Sequence, residues 1–173
     1  MIWNIDATHS HVDFSVRHMG FSTVRGRFRD FEGFLEATAD NVPQRLELTI
    51  RTDSIDTGVA DRDNHLRSPD FFDAASHPVI TFKSTAITAR GGNVFEVQGD
   101  LDMHGVTKSV SFEVEGAGPI SDPFGLQRAA ASGSTEINRS DWGLTWNQLL
   151  EAGGFMVSEK VKLSFEVELT AQQ

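Results

Sequence analysis

The sequence contains no cysteine and no tyrosine. Without cysteine there is no disulfide framework, no thiolate nucleophile and no thiolate metal site. The missing tyrosines are matched by 13 phenylalanines, whose rings carry no hydroxyl that needs a partner when buried. The interior is therefore built dry. Basic residues are also scarce: 15 Lys and Arg stand against 25 Asp and Glu, a net charge of −10. Neutralising a phosphate backbone needs a clustered excess of cations, so nucleic acid is excluded as a partner. Strong binding to an anionic membrane surface is likewise not expected. No apolar run approaches the ~20 residues of a membrane helix. Met1-Ile2-Trp3-Asn4 lacks the basic start and apolar core of a secretory signal. The chain thus reads as cytoplasmic, or as periplasmic had a leader been removed.

What is present is alternation. The 173 residues suit one domain, residues 1–173, with a sizeable core. After a short first strand and turn over residues 4–10, residues 11–18 put Val12, Phe14 and Val16 on one face. Residues 25–37 continue with Phe28, Phe31 and Phe34, which do not share one parity, so a bulge near Asp30 is expected. Leu46, Leu48 and Ile50 face together within residues 45–54. Residues 80–87 and 94–104 pair across Arg90-Gly91-Gly92-Asn93. Residues 107–116 follow across His104-Gly105 with Val110, Phe112 and Val114 inward. A Gly/Pro-rich loop is expected over 116–125, then strands over 128–137 and 161–169. About eight antiparallel strands with one apolar face each close into a barrel or stack as a sandwich, and strands near ten residues long favour closure. The expected fold is all-β: an eight-stranded antiparallel barrel with a short helical insertion between strands.

The insertion is expected as a helical excursion over residues 57–75, overlapping the signal-dense stretch 61–84. Ser68-Pro69-Asp70 reads as a helix start, with a hydroxyl cap, proline in the first turn and a carboxylate at the positive helix end. Phe71 and Phe72 follow, and the helix is expected to stop near His77-Pro78. Two bulky rings tethered beside a sheet make a wedge, which either closes the end of something hollow or completes a packed core. One face of residues 128–137 reads Ala129, Ala131, Gly133, Thr135, Ile137. Such a wall of small side chains either interdigitates with Phe-rich strands or leaves a channel, and an eight-stranded barrel has room for one small ligand.

Catalytic motifs are missing. Asp100-x-Asp102-x-His104-Gly105 imitates a calcium loop, but His104 stands at its fifth position and Ser111 at its twelfth. His9 and His11 place two imidazoles on one strand face without a third ligand at a recognisable spacing. Asp61, Asp63, Asp70 and Asp73 are acids on a polar segment, where capping is their ordinary role. No nucleophile elbow, phosphate loop or dinucleotide fingerprint is present. No catalytic, metal or cofactor residues are therefore assigned.

Taken in order, several stretches resemble one family. They are Trp3-Asn4-Ile5-Asp6 with His9-Ser10, Val16-Arg17-His18-Met19-Gly20 and Val24-Arg25-Gly26-Arg27-Phe28. Asn64-His65-Leu66-Arg67-Ser68-Pro69-Asp70-Phe71-Phe72 and Pro78 follow, then Phe82-Lys83-Ser84. Gly99-Asp100-Leu101, His104-Gly105-Val106-Thr107-Lys108 and Asn138-Arg139 with Asp141-Trp142-Gly143 complete the set. The chain resembles the YceI-like polyisoprenoid-binding proteins over nearly its whole length. Trp146-Asn147-Gln148 to Gly153-Gly154 looks like the branch of that family without a leader. The resemblance implies a lipocalin-like extended barrel, a homodimer, and a bound amphiphile such as an isoprenoid quinone or polyprenyl phosphate. On that reading Phe14, Val16, Leu48, Ile50, Phe82, Leu101 and Phe112 line the wall, and Ala129, Ala131 and Gly133 make room. Phe71 and Phe72 close or line one end. Arg17, His18 and Arg67 meet a polar head, or else serve as surface charge or hydrogen-bond donors. Two alternatives stay open: an enzyme acting on such a lipid through Asp70, His65 and Arg67, and a filled barrel with a structural role.

Overall fold

Alternating strands leave each arm of this chain with one apolar face to hide, and the chain hides all of them by closing the sheet on itself. The computed structural model describes residues 1–172. Its strands are β1 (Ile2–Ile5), β2 (His11–His18), β3 (Ser22–Phe28), β4 (Phe31–Ala37), β5 (Pro43–Arg51) and β6 (Ile55–Asp56). They continue with β7 (Val79–Gly91), β8 (Val94–Met103), β9 (Val106–Ser121), β10 (Gln127–Asn138) and β11 (Lys160–Ala171). The strands β1-β4-β5-β7-β8-β9-β10-β11 pair in that order and β11 pairs back to β1, giving a closed antiparallel ring of eight. Strands β2, β3 and β6 flare from one end of it.

The eleven strands are eight long arms, three of them broken at one corner. β1 and β2 share an edge of β11, with Ile5 opposite Leu169 and His11 opposite Glu166. A 3-10 turn at Ala7–His9 separates them. β4 and β3 follow on β1 and β2, and β5 and β6 follow on β4 and β3. Every arm thus neighbours the next in sequence, as in an up-and-down barrel.

Residues 25–37 are therefore two strands and not one strand with a bulge. Arg29 and Asp30 turn the corner, held by a 2.9 Å bond from the Arg51 N–H to the Asp30 carbonyl. The break resets the alternation, so Phe28 and Phe31 are both buried. Phe34 falls on the outer face, where the Arg45 guanidinium lies 5.1 Å from its ring centroid. The expected loop over 116–125 is also corrected: β9 runs on to Ser121.

The helix lies within the excursion expected over residues 57–75, but before the start read at Ser68. α1 is Ala60–Arg67, and Ser68 ends it instead of starting it. The Ser68 hydroxyl donates to the His65 carbonyl at 2.6 Å, and Pro69 drives Ser68 into an extended conformation that no helix can continue through. Turns then carry Phe71 and Phe72 back to the barrel. Phe72 meets Phe28 edge-on with centroids 6.0 Å apart, while the buried Phe71 packs on His65 and Trp146. Among the described residues no helix is long and apolar enough to cross a membrane.

Candidate functional site

Inside the ring lies a cavity of about 660 Å³, within the range of small-molecule sites. Its wall is built from the inward parity of successive arms: Leu46, Leu48 and Ile50 of β5, Ile80, Phe82 and Ile87 of β7, Val97 and Leu101 of β8. Val110, Phe112 and Val114 of β9, Ala129 and Ala131 of β10, and Leu163, Phe165, Val167 and Leu169 of β11 complete it. The mouth lies where the β4–β5 turn (Asp40, Asn41), the β7–β8 turn (Gly92, Asn93) and Gly116 to Pro119 converge. At the other end Phe28 lines the cavity, with Phe72 packed edge-on behind it.

The lumen stays open because its large rings lie against the wall. Phe165 faces Gly133 across the β10–β11 ladder, and a Cβ on Gly133 would sit 2.9 Å from the Phe165 Cζ. Phe82 covers Gly99 and Phe14 covers Gly26 in the same way. A phenyl ring laid over a cross-strand glycine occupies the volume of the absent side chain and projects less toward the axis. Phe82, Phe112 and Phe165 then form an aromatic belt across β7, β9 and β11, with centroids 5.2 and 5.6 Å apart.

Of the residues singled out from sequence, Leu48, Ile50, Phe82, Leu101, Phe112, Ala129 and Ala131 line this cavity. Gly133 has the right parity, but Phe165 covers it. Phe14 and Val16 sit on β2, in the flared arm, where Phe14 packs 5.7 Å from Phe28. Phe71 and Phe72 are not among the lining residues: Phe72 packs behind the lining Phe28, and Phe71 packs on His65 and Trp146. The polar trio lies outside the cavity. Arg17 donates to Thr23 and to the carbonyls of Gly20 and Phe21, fastening the β2–β3 turn. His18 bridges to Val157. Arg67 donates to the carbonyls of Asp53 and Ile55, tying α1 to β6. The mouth residues Asp40, Asn41 and Asn93 escaped sequence reading because turn residues carry no periodicity.

The charges of the lining are as informative as its apolar wall. Among the described residues its only ionisable ones are Asp13 and Asp40, and neither brings a cation to the lumen. The strongest polar cluster is on the outer wall. There Arg128 reaches Asp122 at 2.8 Å, Asp6 at 3.2 Å, and Glu168. Asp6, His9 and Glu168 bring ligand atoms within 4.8 Å of one another, but the Arg128 guanidinium already supplies positive charge to both carboxylates. His11 is not part of the group.

This cluster makes stability depend on pH. The Thr8 hydroxyl, His9 and then Arg128 hold the Asp6 carboxyl far below its ordinary range, and Arg128 with the Leu126 N–H depresses Asp122. Asp6 in turn raises His9. Depressed carboxylates contribute stability above their unfolded pKa, about 3.9, and lose it as pH falls through the folded values. A raised histidine contributes fully below about 6.5 and loses it as pH rises through the folded value. Thermal midpoints should therefore form a plateau between these limits. Asp6→Asn should soften both flanks, since it removes one carboxylate and the cause of the His9 shift. An unaltered acid flank in that variant would refute the assignment.

Comparison with known proteins places the fold. The chain matches the YceI-like domain family over residues 3–169. The UPF0312 protein of Vibrio cholerae is 37% identical over 152 residues, 87% of this chain and 79% of that protein. The UPF0312 protein of Shewanella denitrificans is 38% identical over 161 residues, 92% of this chain and 81% of its own. Among solved structures, Burkholderia cenocepacia BcnA superposes with a TM-score of 0.82 at 24% identity, covering 95% of this chain and 98% of that one. A polyisoprenoid binding domain from Saccharophagus degradans gives 0.74 at 21% identity, with 98% of each chain covered. At these identities the two structures establish the shared barrel.

Proposed function

The chain belongs to the YceI-like family, and from that premise we propose that it is a non-enzymatic carrier holding one long-tailed isoprenoid lipid in its barrel. The observation that carries this reading is the apolar cavity of about 660 Å³, open at one end and without a cation among its lining residues. Each buried methylene contributes ~0.8 kcal/mol, so a branched tail binds there without any charge. The polyisoprenoid-binding neighbour supports the same ligand class. The missing cation narrows the head group. A phosphate at the mouth would meet Asp40 and no Lys or Arg of the lining, whereas a quinone head needs only hydrogen-bond partners such as Asn41 and Asn93. A neutral isoprenoid, of which an isoprenoid quinone is the example, is the ligand this site suits. His65 and Asp70, 2.9 Å apart, lie outside the lining, so no observation favours the enzymatic alternative.

Native mass spectrometry of protein purified from its own host should show one neutral isoprenoid per chain. Isolation with a polyprenyl phosphate alone would overturn the head-group reading, and conversion of an added lipid to a new product would overturn the carrier reading.

A further inference from the structure

Past Glu115 the barrel wall is unfinished. Val94 opposite Glu115 is the last pair between β8 and β9, and Arg128 opposite Thr170 ends the pairing of β10 with β11. Residues 117–127 therefore project beyond the ring as a two-stranded hairpin, and among the described residues no strand pairs with either of its outer edges. A lone hairpin is marginal in water, yet this one is fastened. Asp122 Oδ1 accepts the N–H groups of Phe124 and Leu126 at 2.9 Å each, and Oδ2 accepts Arg128 Nε at 2.8 Å. Through Asp6 and Glu168, Arg128 braces the hairpin to the first and last arms.

The base of this rigid projection, Gly118 and Pro119, lines the cavity mouth. Its tip presents apolar side chains to solvent: Phe124 is 89% exposed and Ile120 66%. On the β4–β5 turn, Val42 is 50% exposed between mouth-lining neighbours. Charge selects what this rim meets. Arg128 is engaged by three carboxylates, Arg90 by Glu96, and Arg45 by Glu36 and Glu47. With Asp40 at the mouth and a net charge of −10, the rim is repelled by anionic surfaces. A neutral bilayer interface accepts phenyl and aliphatic groups without any charge pairing.

We propose that the β9–β10 hairpin is a membrane-insertion tip. Phe124 and Ile120 enter the boundary between head groups and acyl chains of a zwitterionic bilayer, and so hold the cavity mouth against lipid tails. The ligand then passes between bilayer and barrel without crossing water. This rests on the carrier reading above, because only a lipid ligand gives the mouth a reason to face a bilayer.

The test uses phosphatidylcholine vesicles doped with an isoprenoid quinone, and measures flotation of the protein and transfer of quinone into it. The same quinone is offered in parallel from dilute ethanol, with no vesicle present. Phe124→Ser should lower flotation and transfer about tenfold, by the loss of one buried ring. Loading from ethanol should stay unchanged, as should the melting temperature, because the tip packs on nothing. Phosphatidylglycerol vesicles should bind less, and added salt should raise that binding. Equal transfer in wild type and variant would overturn the insertion tip while leaving the carrier intact. Failure to load from either source would overturn the carrier, and flotation of the unloaded protein would then judge the tip alone, its absence ending the proposal. Stronger binding to phosphatidylglycerol that salt abolishes would also overturn it. So would a wild-type dimer that Phe124→Ser converts to monomer without any flotation, since the tip would then belong to a second copy of the chain.

Discussion

Ala131→Phe should weaken lipid binding roughly a hundredfold and leave the fold intact. Ala131 lines the cavity halfway along β10, flanked in register by Gly116 on β9 and Val167 on β11, which line it too. The neighbouring wall accepts added atoms without a clash: a Cβ added at Gly116 would meet its nearest neighbour at 3.6 Å, an ordinary van der Waals contact, and Ala131 itself faces the cavity. A phenyl ring at 131 therefore enters open volume. In a filled core the same change would overpack and cost about 1–3 kcal/mol. In a hollow one it should move the melting transition by less than that. Displacing about four methylenes of a tail removes ~3 kcal/mol of binding, a drop of roughly a hundredfold. Titration with a fluorescent isoprenoid beside a denaturant melt reads both quantities. Ser132→Phe is the control, since Ser132 is exposed on the outer face. If Ser132→Phe blocks binding and Ala131→Phe does not, the two faces have been exchanged.

Parity carried most of the wall. A period of two survives any amount of twist, so Leu48, Ile50, Phe82, Leu101, Phe112, Ala129 and Ala131 could be put inside from their spacing alone. Parity gives a face, however, and not the neighbours on it. Gly133 is inward and still contributes no space, because Phe165 from the next arm lies over it. Phe14 and Val16 are inward on β2, but β2 lies past the corner where the closed ring ends. That corner depends on Arg29-Asp30 and Ala7–His9, which are polar breaks with no periodic signature.

The helix and the hairpin failed for different reasons. A serine before a proline caps either end of a helix, and α1 offered no apolar stripe to decide, with Leu66 the one large apolar residue of its eight. Gly and Pro in residues 116–125 suggested a loop. An overhanging hairpin tolerates both, since its outer edges have no strand to receive a hydrogen bond. Arg139 was visible only as part of a family resemblance, with no physical role attached.

That role supplies the second large effect: Arg139→Met should cost about 3 kcal/mol or more, and the loss should be concentrated in the chain between β10 and β11. Arg139 is 5% exposed, yet among the described residues no carboxylate pairs with it. Its guanidinium donates to the carbonyls of Ser158, Leu144 and Trp146 at 2.9, 2.8 and 2.8 Å. Burial pushes its pKa down, although a guanidinium remains charged at any pH the fold survives. One side chain thus ties three points of a segment that has no continuous strand, assisted by Asn147 at both polar groups of Val157. Methionine keeps an unbranched apolar stem and strands three carbonyls, each worth about 1–3 kcal/mol when buried without a donor, less whatever water recovers. Lysine offers a point charge in place of a fork and should restore only part of the loss. Eleven residue pairs join β10 to β11 without Arg139 taking part, so the barrel should persist and the segment should loosen around it. Hydrogen exchange should rise at the Met156 and Val157 amides while the Ala131 amide stays protected. Uniform loss of protection across the barrel would show instead that the segment and the ring unfold as one unit.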